Sequence, residues 1–192
     1  MENLRAKILT CTRCPLCKTR NKSIFGEGNL KAEIFLVGEA PGADEDRDGR
    51  PFIGKSGQLL DKILGACGFS RESHVFISNI VRCRPPNNRV PSATEVQTCL
   101  PYLLKQIELI NPQIVITLGA TSLKKLLGDE TCKIKNHRGR WINWNHRLLM
   151  PTYHPAALLR NPNLKEATWQ DFKKVISKYR QLIDPNHFSQ HF

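Results

Sequence analysis

A chain of 192 residues is long enough to bury one sizeable core and suits a single compact α/β domain with at most a short appendage. Its 29 Lys and Arg against 17 Asp and Glu leave a formal charge of +12, which points to a polyanionic partner through phosphate neutralisation and counterion release. No run approaches the ~20 apolar residues of a membrane span, and the start MENLRAKILTC lacks an export-signal core and cleavage site, so a cytoplasmic or nucleoid-associated protein with unpaired thiols is expected.

The chain opens on a C-x2-C pair, Cys11 and Cys14, which Cys17 extends to C-x2-C-x2-C. The first strand is expected over 33–38 (EIFLVG), short, branched and continuously apolar as a buried parallel strand should be. It runs into an acidic turn, GEAPGADED. Next comes GRPFIGKS (49–56), which fits the phosphate-loop pattern G-x-x-x-x-G-K-S position for position. That pattern requires a strand leading straight into the first glycine; here the preceding GEAPGADEDRD would put carboxylates in the phosphate seat. Pro51 has no N–H to offer, Phe52 blocks close backbone approach, and no expected strand ends in a magnesium-binding Asp. Nucleotide hydrolysis is therefore rejected.

A helix over 56–66 and a strand over 75–80 (VFISNI) follow, the strand carrying Asn79 in its last turn and leading into RCRPPNNR with Cys83. The helix over 92–110 opens on a capping box, Ser92 with Glu95, and carries Cys99. A strand over 113–119 (QIVITLG), a helix over 120–127, a strand over 147–151 (RLLMP), the segment TYHPAALLR and a helix over 168–183 complete the pattern. Alternating strands and helices predict a three-layer α/β sandwich around a central, mostly parallel four-stranded sheet, whose ligands bind beyond the carboxyl ends of the strands. GEAPGADED, Asn79 and TYHPAALLR all follow strand ends and should converge there. Cys11, Cys14, Cys83 and Cys99 offer four thiolates from two distant segments; spacing alone does not choose between zinc and an iron-sulfur cluster. Cys67 and Cys132 have no partner spacing.

Taken together, FGEGN (25–29), VGEAPGADEDRDGRPFIGKSGQLL (37–60), SNIVRCRPPNNR (78–89), LKQIELINPQIVITLGA (104–120), HRGRW (137–141) and YHPAALLRNP (153–162) strongly resemble the thermophile-type, iron-sulfur-containing uracil-DNA glycosylases, family 4 of their superfamily. The resemblance spans nearly the whole chain in the family's order. It implies hydrolysis of the N-glycosidic bond of deoxyuridine in single- or double-stranded DNA, leaving an abasic site for downstream base-excision repair proteins. It also implies a monomer, and a 4Fe-4S cluster on Cys11, Cys14, Cys83 and Cys99 that ties the N-terminal segment, about 1–30, to the core of a single domain over 1–192. Cys17 falls where the family needs no cysteine.

Enzymatic attack requires the target nucleotide to leave the base stack. The resemblance then assigns roles: Phe52 stacks on the uracil, and Asn79 offers one donor and one acceptor to O4 and N3–H. His154 takes the family's catalytic histidine position, placed to stabilise charge growing on O2. Glu39, Ala40 and Pro41 form the opposite wall. Where the best-studied uracil glycosylases have GQDPY, Ala40 stands at the Asp and Gly42 at the Tyr. Glu39 or Glu45 is accordingly expected to orient the water, with Glu45 the barrier at uracil C5. Leu158 lies where the superfamily places an apolar wedge, Arg160 beside it should meet phosphate, and the helix start at Lys55 and Ser56 should face another phosphate. Two alternatives stand beside this reading. A non-catalytic, metal-stapled DNA-binding module would be colourless with zinc, and a covalent uracil-DNA binder would need a basic, histidine-bearing insertion that the short loop RPPNNRVPS lacks.

Overall fold

The computed structural model describes residues 1–192. Its sheet has six strands: β1 (Glu27–Gly28), β2 (Ile34–Gly38), β3 (Val75–Asn79), β4 (Ile114–Leu118), β5 (Ile142–Trp144) and β6 (Arg147–Thr152), in the order β1-β3-β2-β4-β6-β5. The four expected strands form its parallel centre, β3-β2-β4-β6, and β1 and β5 add an antiparallel edge at each side. The edges are corrections to the four-stranded expectation. Two-residue β1 is too short to show a period. Strand β5 returns into β6 through Asn145 and His146, both with positive φ (46° and 63°), a tight turn made without the glycine that usually announces one.

Side-chain alternation divides the core into two layers. Phe35 and Val37 of β2, Phe76 of β3 and Val115 of β4 face one cluster; Ile34, Leu36, Ile77 and Ile116 face the other. The first is covered by α1 (Glu2–Leu9), α4 (Ala93–Ile110) and α5 (Ala120–Leu127), through Ile8, Leu103, Ile107 and Leu123. The second is covered by α3 (Lys55–Ala66) and α8 (Leu164–Leu182), through Leu60, Leu64, Phe172 and Ile176. Three short helices complete the chain: α2 (Ala43–Asp48), α6 (Ile134–His137) and α7 (Pro155–Arg160). Helix α1, absent from the sequence expectation, buries only Ile8; it is held by packing against α4 rather than by its own periodicity.

Helix α4 starts where its capping box places it. The Ser92 hydroxyl accepts from the Glu95 N–H at 3.3 Å, and the Glu95 carboxylate accepts from the Ser92 N–H at 2.8 Å. Arg89 grips the same carboxylate at 2.6 and 2.8 Å and, as the main cause, holds Glu95 down at about 2. At the other side of the sheet, α8 is fixed to the end of β6 by a buried polar cluster. Asp171, 1 % exposed, accepts from Thr152 Oγ1 at 2.7 Å and from Arg138 Nε at 3.0 Å and Nη2 at 2.5 Å. Gly139, with φ 69°, is required there because a Cβ would lie 2.3 Å from Asp171 Oδ1. This cluster sets the position of the chain just before His154.

Replacing Asp171 by Ala strands the Arg138 guanidinium and the Thr152 hydroxyl. The expected cost is about 3 kcal/mol, or a midpoint lowered by roughly 6–12 °C for a domain of this size. A thermal melt followed by circular dichroism checks it; a shift under about 2 °C would remove this cluster from the architecture.

Candidate active site

The parallel register puts the carboxyl ends of β2, β3, β4 and β6 on one edge, where Gly38 pairs with Asn79 and Leu118 with Thr152. A cleft of about 800 Å³ opens there. Glu39, Ala40 and Pro41, following β2, form one wall, and the Glu39 carboxylate makes no hydrogen bond or ion pair within the chain. Lys55 and Ser56 at the start of α3, and Arg160 at the end of α7, also line the cleft. Lys55 and Arg160 are exposed, so positive charge sits where a ligand would enter.

Asn79 is 3 % exposed and reaches the cleft floor. Its Oδ1 is buried with no hydrogen-bond partner, an uncommon state for a buried acceptor and one that marks a place for a donor from a ligand. Phe52 lies beside it, its ring 5.6 Å from the His154 ring at an interplanar angle of 31°. Gly38 makes the arrangement possible: a Cβ there would stand 2.4 Å from Asn79 Oδ1 and 2.6 Å from Phe52 Cζ.

Phe52 has a φ of 53°, an uncommon left-handed backbone for an aromatic residue. Glu45 accounts for part of its stability. Its Oε1 accepts from the N–H groups of Ile53 and Gly54, both at 2.9 Å, and its Oε2 accepts from the Gly42 N–H at 3.0 Å. The anion seat that the GRPFIGKS pattern would offer a phosphate is thus filled by a carboxylate of the same chain. Glu45 lines the cleft with both oxygens already holding backbone amides of the loop, whereas the carboxylate of Glu39 is free.

His154, half-buried, caps α7: its Nδ1 accepts the Ala156 N–H at 3.1 Å. That bond requires a lone pair on Nδ1, so the neutral ring carries its proton on Nε2 as a donor. Burial, and then the charge of Arg160, lower the ring to about 4, against the attraction of Glu45. Gly119, with φ 96°, approaches within 3.1 Å of His154 Cβ at its own would-be Cβ and so admits the imidazole beside β4. The turn after β4, with Gly119 and Thr121, and Tyr153, over whose ring Arg138 lies at 5.6 Å, line the cleft without having been expected to.

Leu158 does not line the cleft. It is 1 % exposed on the inward side of α7, which packs on α3 and α8, so it cannot enter a base stack without unseating the helix. The next residue, Leu159, is 47 % exposed. One step along a helix turns a side chain by about 100°, so the two neighbours face opposite environments.

A second pocket lies between the N-terminal segment, the loop after β3 and α4, lined by Cys11, Cys14, Cys83 and Cys99. Donors point at three of the sulfurs: Tyr102 Oη to Cys11 at 3.6 Å, Arg20 Nη1 to Cys83 at 3.0 Å and the Arg82 N–H to Cys99 at 3.3 Å. These contacts suit sulfurs that carry negative charge, so the donor set fits a thiolate-bound group. Cys17 is outside the pocket and donates to the Thr12 carbonyl at 3.7 Å. No three His, Cys, Asp or Glu side chains converge tightly enough to hold a single metal ion.

A doubly covered parallel sheet with an orphan amide, an aromatic ring and a neutral histidine donor at its carboxyl edge defines an α/β protein built to receive a planar, polar ring. The Uracil DNA glycosylase superfamily model matches residues 25–173, and the chain belongs to that family. It is similar to the Type-4 uracil-DNA glycosylases of Sulfurisphaera tokodaii (42 % identical, over 96 % of this chain and 89 % of the relative), Saccharolobus solfataricus (46 %, over 88 % and 82 %) and Pyrobaculum aerophilum (45 %, over 97 % and 98 %).

His154 sits below its ordinary value of 6.5 in the folded chain. Its contribution to stability is therefore complete above pH 6.5 and is lost as the pH falls through that value toward about 4. A titration followed by NMR should place its ring midpoint near 4, and Arg160→Ala should raise that midpoint by removing a repelling charge. A wild-type midpoint at 6.5 would mean that the ring is neither desolvated nor opposed by Arg160.

Proposed function

We propose that the chain excises uracil from DNA by hydrolysing the N-glycosidic bond of an extruded deoxyuridine, acting as a monomeric base-excision repair glycosylase on single- or double-stranded DNA. The observation that carries this reading is the unpartnered Asn79 Oδ1, beside Phe52 and His154 in one cleft. Uracil presents N3–H and O4 side by side, and the Asn79 amide matches them with its oxygen and its nitrogen. Phe52 stacks on the ring, and Ala40 and Pro41 close the other side.

As the bond between C1′ and N1 breaks, its electron pair goes to the base, and the negative charge spreads to O2. The His154 Nε2–H donates to that oxygen, and because the ring is neutral it stabilises the anion by a hydrogen bond without giving up its proton. Water adds to C1′ of the cationic sugar, and the unpaired carboxylate of Glu39 orients it and accepts its proton. Glu45 holds the loop. The sugar keeps the hydroxyl, giving an abasic site for the next repair proteins, and uracil takes up a proton from solvent.

Lys55, Ser56 and Arg160 meet the phosphates around the extruded nucleotide, in line with the excess of 12 positive charges. Leu159 rather than Leu158 enters the vacated stack, since it is the one α7 presents to solvent. The four pocket cysteines carry a 4Fe-4S cluster that ties residues 1–30 to the core of one domain over 1–192. Cys11, Cys14, Cys83 and Cys99 would hold the cluster from two distant segments of the chain, with donors from Tyr102, Arg20 and Arg82 toward three of the sulfurs. No helix is long and apolar enough to cross a membrane, and DNA places the enzyme at the nucleoid.

Oligonucleotides carrying U·G, U·A, T·G or hypoxanthine, cut with alkali after incubation, test the reading. Cleavage is expected at both uracils, and at none of the four if the reading is wrong. His154→Ala should lower kcat by about 10²–10³-fold. Leu159→Ala should slow excision from duplex and leave single strands unaffected, whereas Leu158→Ala should mainly destabilise the fold, by about 2–5 kcal/mol. A brown protein with iron and acid-labile sulfide in equal amounts supports the cluster; a colourless protein holding zinc would refute it.

A further inference from the structure

Arg71 follows α3 and is 9 % exposed, an unusual place for a guanidinium. Its charge is met by Asp61, with Nε to Oδ1 at 2.8 Å and Nη2 to Oδ2 at 3.2 Å, and by Glu27 of β1, 3.5 Å from Nη1. The remaining donor capacity is aimed at two consecutive carbonyls of the cleft loop: Nη1 donates to Pro51 O at 2.8 Å and Nη2 to Phe52 O at 2.5 Å. The Phe52 carbonyl and the Ile53 N–H belong to one planar peptide unit and point in opposite directions. Arg71 holds the first and Glu45 the second, so this peptide is pinned at both ends by ions of the sign its dipole prefers. Gly57 of α3 leaves room for it, since a Cβ there would lie 1.8 Å from Phe52 O.

We infer that Arg71 is a positioning residue for base recognition, holding Phe52 in its left-handed backbone so that the ring faces the extruded base from the back of the cleft. The inference rests on the reading of Phe52 as the stacking ring. A planar fork reaches two adjacent carbonyls while keeping its carboxylate partner, and a lysine ammonium, a single point of charge, lacks that geometry. Arg71 itself does not line the cleft, so its effect on the substrate must pass through the loop.

A double-mutant cycle on the full-length protein separates this role from general support of the fold. Arg71→Met should lower kcat/KM for a uracil oligonucleotide by about 10- to 100-fold. In a Phe52→Ala background the same change should cost less than about twofold, because the ring it positions is gone. Arg71→Lys should show the same coupling, and it serves if Arg71→Met does not fold. Losses that multiply independently in the two backgrounds would overturn the inference, as would failure of both Arg71 variants to fold. If Phe52→Ala alone leaves kcat/KM unchanged, the stacking reading fails instead, a separate result.

Discussion

The peptide between Phe52 and Ile53 is the constraint on which the cleft depends. Its carbonyl is held by a buried arginine and its amide by a carboxylate from the turn after β2, and between them they keep an aromatic residue in a backbone region it rarely occupies. Local strain of this kind persists only when its surroundings over-determine it. Arg71 in turn is fixed by Asp61 on α3 and Glu27 on β1, so the shortest strand of the sheet and a surface helix both bear on the orientation of one ring. This gives the FGEGN stretch a physical purpose: Glu27 neutralises the arginine and Gly28, whose Cβ would lie 2.1 Å from Val75 O, lets β1 close on β3.

The cysteine pocket is organised by charge in a comparable way. Arg82 is 2 % exposed and has no carboxylate partner; its Nη2 donates to Gln106 at 2.5 Å and its Nε to nothing. Burial lowers it to about 10, while the neighbouring Cys99 and Cys83 act in the opposite sense. With Arg20 against Cys83, two guanidiniums stand around four sulfurs. Burial nonetheless pushes the Cys99 thiol up to about 11, against the pull of Arg82, so what the two guanidiniums suit is an occupant that brings net negative charge of its own, as an iron-sulfur core on four thiolates would. Under that reading the N-terminal segment is joined to the loop after β3 by electrostatics as much as by ligation, with Cys83 only a few residues beyond Asn79 in sequence.

The central strands were legible because each is a short run rich in apolar residues, near-continuous in β2 and β4, and their carboxyl ends fixed where Asn79 and His154 would meet. Phe52 was legible only through the family resemblance, since its left-handed backbone leaves no mark in composition. Three features were not readable. Glu45 looked like chemistry because it is acidic and near the site, but its role follows from backbone amides that only the folded turn brings within 3.0 Å. Leu158 and Leu159 are indistinguishable as residue types, and only the docking of α7 on α3 and α8 decides which one faces out. Arg71 stands in SRES, an unremarkable polar turn, and its long-range partners are 10 to 44 residues away.

With Ala40 in place of an acid, Glu39 is the one wall residue with a free carboxylate for the water, and under the proposed mechanism stabilising the departing base falls to His154. The neutral, Nε2-protonated ring of His154 suits that role. An imidazolium would bind the anion more strongly, but burial and Arg160 oppose its formation at neutral pH. The same Arg160 that disfavours a charged histidine lies at the mouth of the cleft, where a DNA phosphate would neutralise it.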